Sequence, residues 1–206
     1  DAATGELIDR NLTATFSGDN GSDVIDIYSD PIAQREVGDG IMNFGIDNSV
    51  TPSESNPAEV QLRLQASGYL TALKTVTIDA EGTNNFTIDL VRRSNPPTGV
   101  EIKEEVAGSA DESGNINEDI SIQANTNADN SEEETTSSVE IASGSSFTDE
   151  NGQLLTGALQ SSTVYYSANE AKAVEAVPSE LLENVGDSAL TLLGAMDLTI
   201  TDANGR

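Results

Sequence analysis

Apolar and polar residues alternate with a period of two through most of residues 1–95. Residues 58–69 are the clearest case. Val60, Leu62, Leu64 and Ala66 face one way, and Gln61, Arg63 and Gln65 face the other. That period, with β-branched enrichment, predicts half-buried strands rather than helices. The same reading predicts strands around Leu12–Phe16, at Val24–Ile27, at Ile41–Phe44 and over residues 72–80 and 84–91. The last two flank Glu81-Gly82, so residues 72–91 are predicted to form a hairpin. Gly, Asn, Asp and Pro punctuate the joins, and these residues tolerate or enforce turn geometry. The expected core of this half is Leu12, Phe16, Ile27, Phe44, Leu62, Leu64, Val76, Ile78, Phe86 and Ile88.

Pro96-Pro97 then interrupts the pattern. Consecutive prolines remove two ladder donors and stiffen the chain, so a domain boundary is expected near Asn95 to Gly99. The second half carries strand patterns at 100–108, 115–126, 137–147, 158–168 and 188–205. An acidic, apolar-poor stretch at 127–138 reads as a solvated loop. Residues 169–185 form the single helix-like or irregular insertion, broken at Pro178. Gly194 is expected to mark a bend or bulge. The fold class is therefore all-β, with two consecutive domains of the β-sandwich kind, at 1–95 and 96–206, the second incomplete at its C-terminal end.

Composition sharpens this picture mainly by exclusion. Hydrophobic residues make up 36% of the chain and aromatics 4%, so each core must be modest. No apolar run reaches the length of a membrane-spanning helix, and membrane insertion is not expected. The chain has 9 Lys+Arg against 36 Asp+Glu, a formal net charge of -27. Such a surface repels phosphate backbones, which argues against nucleic acid as a partner. There is no cysteine and no histidine. Disulfides, thiol nucleophiles, histidine-based triads and most zinc sites are thereby removed. A pair of carboxylates could still serve glycoside hydrolysis, but every acidic chain meets that condition. The chain is not expected to be an enzyme.

Two acidic clusters are candidates for calcium, which takes six to eight oxygen ligands. One contains Asp19, Asn20 and Asp23; the other contains Asp111, Asn115, Asn117 and Asp119. Neither has the EF-hand spacing, and Asp, Asn and Gly are also ordinary turn residues. Residues 149–153, Asp-Glu-Asn-Gly-Gln, read as a plain turn. Tyr165 and Tyr166 are adjacent in a predicted strand, so one ring should face outward, where it could stack on a sugar.

Three stretches resemble the carboxypeptidase regulatory-like family, a transthyretin-like β-sandwich. Residues 1–8 are similar to its opening Asp-x-x-Thr-Gly-x-x-Leu turn. Residues 38–47 are similar to a second turn, where Asp-Gly introduces a strand bearing a buried Phe. Residues 66–91 resemble its Ala-x-Gly-Tyr strand followed by a terminal strand, with Gly68 at a bend and Tyr69 packed at the sandwich end. The resemblance covers about the first 95 residues. It departs in the longer loops at 29–38 and 49–57, and in the absence of a strand before residue 1. Residues 149–166 resemble segments beside such domains in large secreted bacterial surface proteins. The resemblance implies a non-catalytic structural or adhesive module, extracellular or on the cell surface, acting as a spacer or assembly unit. It implies neighbouring domains or identical subunits as partners. A calcium- or carbohydrate-binding module is the alternative, with calcium as a candidate ion and a glycan as a candidate partner. In a bacterial source, the glycosylation-like triplets at Asn11 and Asn85 carry no meaning. The chain starts and stops on turn motifs, so it is expected to be part of a longer one. A strand from outside is expected to pair with the edges near residues 6–16 and 190–201.

Overall fold

The computed structural model describes residues 1–126, 135–181 and 194–205. Its described part is predominantly β, with antiparallel sheets and one short helix. The described residues group into two compact units, one of 1–97 with 175–181, the other of 98–126, 135–174 and 194–205.

In the first unit a four-stranded antiparallel sheet has the order β3-β1-β5-β6. The strands are β1 (Leu12–Ser17), β3 (Gln34–Val37), β5 (Ala58–Ala66) and β6 (Ala72–Ile78). Register follows the apolar pattern: Leu62 lies opposite Phe16 on one side and Lys74 on the other. Ala58, Val60, Leu62 and Leu64 are buried, while Glu59, Arg63 and Gln65 are exposed. A slip of one residue would put the apolar set in water, which is what specifies this register. A separate two-stranded ladder joins β2 (Val24–Ile25) to β4 (Gly45–Ile46). The core of the unit gathers Leu12, Phe16, Leu62, Leu64, Val76 and Ile78, with Phe44 and Ile88 partly buried against them.

Four expectations need correction. Ile27 is 68% exposed, because Asp26 closes a tight loop that points Ile27 and Tyr28 outward. Phe86 is 46% exposed, because residues 83–91 form no strand and the predicted hairpin is not made. Only β6, its first half, is a strand. Residues 41–44 also fall outside β4, which spans only Gly45–Ile46. Finally, β1 is not an edge: β3 pairs with it on one side and β5 on the other.

The outer side of β6 is covered from within the same unit. Lys74 Nζ donates to the carbonyls of Glu175 (2.9 Å) and Val177 (2.7 Å). Ser179 Oγ donates to the β6 carbonyl of Leu73 at 2.9 Å. Covering an edge this way blocks stray pairing with other chains. Burial holds the Lys74 ammonium below its usual range, opposed by the charges of Asp89 and Glu175.

In the second unit β10 (Gly157–Ser167) lies between β7 (Val100–Ala110) and β11 (Gly194–Asp202). A hairpin-like pair of β8 (Ile120–Thr126) and β9 (Thr135–Ile141) accompanies that sheet. Ile116, Ile120, Ile122, Leu155 and Leu159 form the core. The register irregularity falls at Leu159/Gln160, opposite β7. Gly108 on β7 lies so close to Ile120 that a Cβ there would sit 2.7 Å from the Ile120 Cδ1. Helix α1 (Ala171–Ala176) occupies the predicted insertion and ends before Pro178. Residues 127–134 of the predicted acidic loop and 188–193 of the predicted last strand lie outside the described residues.

Candidate functional site

The candidate calcium ligands are placed by turn chemistry. Asp111 Oδ1 accepts the backbone N–H groups of Ser113 (2.8 Å) and Asn115 (2.9 Å). Asp149 does the same with Asn151 and Gln153, and Asp26 with Tyr28 and Asp30. In each loop the fourth residue has positive φ: Ser29 +68°, Gly114 +77°, Gly152 +76°. The shared pattern is Asp, two residues, then a left-handed position, most cheaply a glycine. These backbone donors hold the Asp111 carboxyl below its usual range, Asn115 first among them. Asp119 is also held low, by the N–H of Ser143, which its Oδ1 accepts at 2.7 Å.

The two sequence clusters therefore separate in different ways. Asn20 and Asp23 meet, with Asn20 Nδ2 donating to Asp23 Oδ2 at 2.9 Å, while Asn20 Oδ1 accepts from Glu59 N. Asp19 is exposed beside them. In the second cluster Asn115 stays with Asp111, whereas Asp119 turns to Ser143, and the backbone of Asn117 donates to Ser109 O at 3.4 Å. Among the described residues no three acidic groups converge as a metal site would require. Tyr165 and Tyr166 are both buried, at 4% and 3% exposure, so neither ring is on the surface. The outward ring expected from strand alternation is thereby corrected. Both faces of β10 are covered at this end, as the burial of Thr163, Val164 and Ser167 also shows.

A polar cluster that sequence reasoning missed lies in the first unit. Asp1 is buried, and Arg92 reaches its Oδ2 through both Nε and Nη2 at 2.8 Å. Tyr69 Oη donates to the same oxygen at 3.2 Å, and the guanidinium sits 5.4 Å from the Tyr69 ring centroid. Asp1 Oδ1 accepts from Ala3 N at 3.0 Å, which shapes the opening turn. No local signal announces this cluster, since Arg92 reads as linker beside Pro96-Pro97.

The first unit holds a cleft of about 870 Å³ whose lining is polar and apolar in nearly equal measure. Its floor is the inner face of the main sheet, with Leu62, Leu64 and Ile78. Its walls come from residues 40–52 and 80–90, bringing Phe44, Phe86 and Ile88. No main-chain hydrogen bond joins residues 83–89 to the rest of the described chain. On the other wall β4 pairs only with β2, which leaves its second edge without a strand. The acidic lining residues are Asp1, Glu6, Glu81 and Asp89, and none of the lining residues is Lys or Arg. Asp1 is neutralised by Arg92 and Asp89 acts on the Lys74 ammonium, so Glu6 and Glu81 set the sign of the rim.

Among the described residues no helix is long and apolar enough to cross a membrane, which says nothing of strands. No family model, no curated protein and no solved structure matches the chain.

Proposed function

We propose that this chain is a non-catalytic structural or adhesive module of a secreted or cell-surface protein, built of two β-sandwich units. It works as a spacer or assembly unit, paired with neighbouring domains or identical subunits. The observation that carries this reading is main chain left without a strand partner beside the main sheet of the first unit. A sheet of four strands is faced by a ladder of two-residue strands and by residues 83–89, whose main chain has no strand partner. Unpaired N–H and C=O groups along an extended segment form a template for another strand. The resemblance of residues 1–95 to the carboxypeptidase regulatory-like family belongs to the same reading. In its support, two of the resembling stretches pack together through Tyr69 and Asp1.

Hydrogen exchange tests it. The amides of residues 83–89 are compared in the purified chain and in intact cell-surface material that contains it. Slower exchange in the intact material is expected. Equal exchange in both samples would overturn the assembly reading.

A further inference from the structure

We infer that Asn151 is a site of spontaneous covalent modification, converted to aspartate and isoaspartate by cyclising onto the backbone nitrogen of Gly152. The residue types are those the reaction needs. The side-chain amide of an asparagine can close a five-membered ring with the backbone nitrogen of the next residue. A glycine in that place has no Cβ to hinder the approach.

The chain holds three such pairs, Asn20-Gly21, Asn151-Gly152 and Asn204-Gly205. In all three the glycine nitrogen donates to a turn carbonyl, at 3.1, 3.0 and 2.9 Å respectively. What differs is the asparagine side chain. Asn20 is held at both ends, its Nδ2 donating to Asp23 Oδ2 and its Oδ1 accepting from Glu59 N, each at 2.9 Å. Gly21 is also buried, with the Phe16 main chain 3.3 Å from where a Cβ would stand. Asn204 Nδ2 donates to Asp202 Oδ2 at 3.4 Å, and Asp202 is itself buried. Asn151 is exposed, and among the described residues no hydrogen bond engages its side chain. Gly152 is exposed too, with nothing within 4 Å of a Cβ position, so the ring has room to close.

The step balances with solvent water and its hydroxide as the co-reactants. Hydroxide takes the Gly152 N–H proton, and the nitrogen attacks Asn151 Cγ. The N–Cγ bond forms, the Cγ–Nδ2 bond breaks, and Nδ2 leaves as ammonia with a proton from water. Water then opens the cyclic imide at either carbonyl, giving aspartate or isoaspartate. Either product adds a negative charge beside Asp149 and Glu150. The isoaspartyl product also routes the backbone through the side-chain methylene. That lengthens the turn in which Asp149 Oδ1 accepts the N–H groups of residues 151 and 153, and it slackens the Thr148–Leu154 bridge behind it.

The whole chain is incubated at mildly alkaline pH, folded and in urea, and peptide mapping by mass spectrometry follows each Asn-Gly pair. In the folded chain Asn151 is expected to convert several-fold faster than Asn204, and Asn204 faster than Asn20. In urea the three rates are expected to converge, because the dipeptide is the same and only the fold distinguishes them. Hydroxylamine, which traps the imide, should cut the folded chain first after residue 151. Gly152→Ala should slow conversion at 151 in both conditions; unfolding of the variant would speed it and so cannot mimic the result. Equal rates at the three sites in the folded chain, faster conversion at Asn20 or Asn204, or the same spread of rates in urea would each overturn the inference. An unmodified Asn151 in the folded chain, after the urea sample has converted, would overturn it as well.

Discussion

The rings of Phe16 and Phe44 meet with centroids 5.3 Å apart and planes inclined at 56°. Phe16 is a central-sheet residue on β1, and Phe44 comes from the irregular wall just before β4. This tilted pair pins the wall to the sheet. Such pairs add about 0.5–1.5 kcal/mol beyond area burial.

Phe44→Ala is expected to destabilise the first unit toward the lower end of the usual about 3–5 kcal/mol for a lost core Phe, because Phe44 is only half-buried. Urea denaturation of the variant against the parent chain measures it. A change near zero would show that the wall does not depend on the ring pair.

Arg92→Ala should cost about 2–3 kcal/mol, below the full penalty for a broken buried pair because Arg92 itself is partly exposed. The loss comes from leaving the buried Asp1 carboxylate without its cation. Tyr69→Phe removes one hydrogen bond and should cost about 1 kcal/mol. A denaturation midpoint more sensitive to Tyr69→Phe than to Arg92→Ala would contradict this account.

The pH dependence follows from the carboxylates held low. The folded-state values of Asp111 and Asp119 lie below the ordinary 3.8, so the unfolded chain binds more protons as acid is added. Their stabilisation is present above the unfolded value and is lost as pH falls through the folded one. Asp119→Asn should therefore lose less stability than the parent between about pH 5 and pH 2. Parallel loss curves would mean that the Ser143 contact does not distinguish the two protonation states.

Gly40→Ala and Gly152→Ala separate two costs at positions with similar φ, +68° and +76°. Both force alanine into the left-handed region, at about 1–2 kcal/mol. At Gly40 the new Cβ would also meet the backbone nitrogen of Ile8 at 2.9 Å, whereas nothing lies within 4 Å at Gly152. Gly40→Ala should be the more damaging in thermal unfolding. Equal effects would rule out the close approach at Ile8.

Calcium should leave thermal unfolding unchanged relative to chelator. The Oδ1 atoms of Asp111 and Asp119 are already engaged by backbone N–H groups. A site filled at a hundredfold excess over its dissociation constant would instead add about 2.7 kcal/mol. A rise of that size would revive the calcium-binding alternative.

Period-two alternation was sufficient for β5, because that strand is paired on both sides and buries one face. Its side-chain pattern and its burial are then the same pattern. Residues 84–91 alternate just as well and form no strand, since pairing needs a partner and alternation supplies none. Ile27 shows the opposite limit. Its hydrophobicity suggested core, but the carboxylate of Asp26 closes a loop that turns it outward. Local chemistry is legible where donor and acceptor lie a few residues apart, as in the Asp-x-x-Gly turns.

The sequence by itself determined the all-β class, which residues of β1, β5 and β6 face the core, and the turns, because these depend on side-chain period and on contacts within a few positions. Only the tertiary structure decided which strands are edges, that Tyr165 and Tyr166 are both covered, and that Asp1 lies against Arg92. It also decided that residues 83–89 run without a main-chain partner among the described residues. Those features depend on groups far apart in the chain, and no local pattern encodes which distant segment arrives.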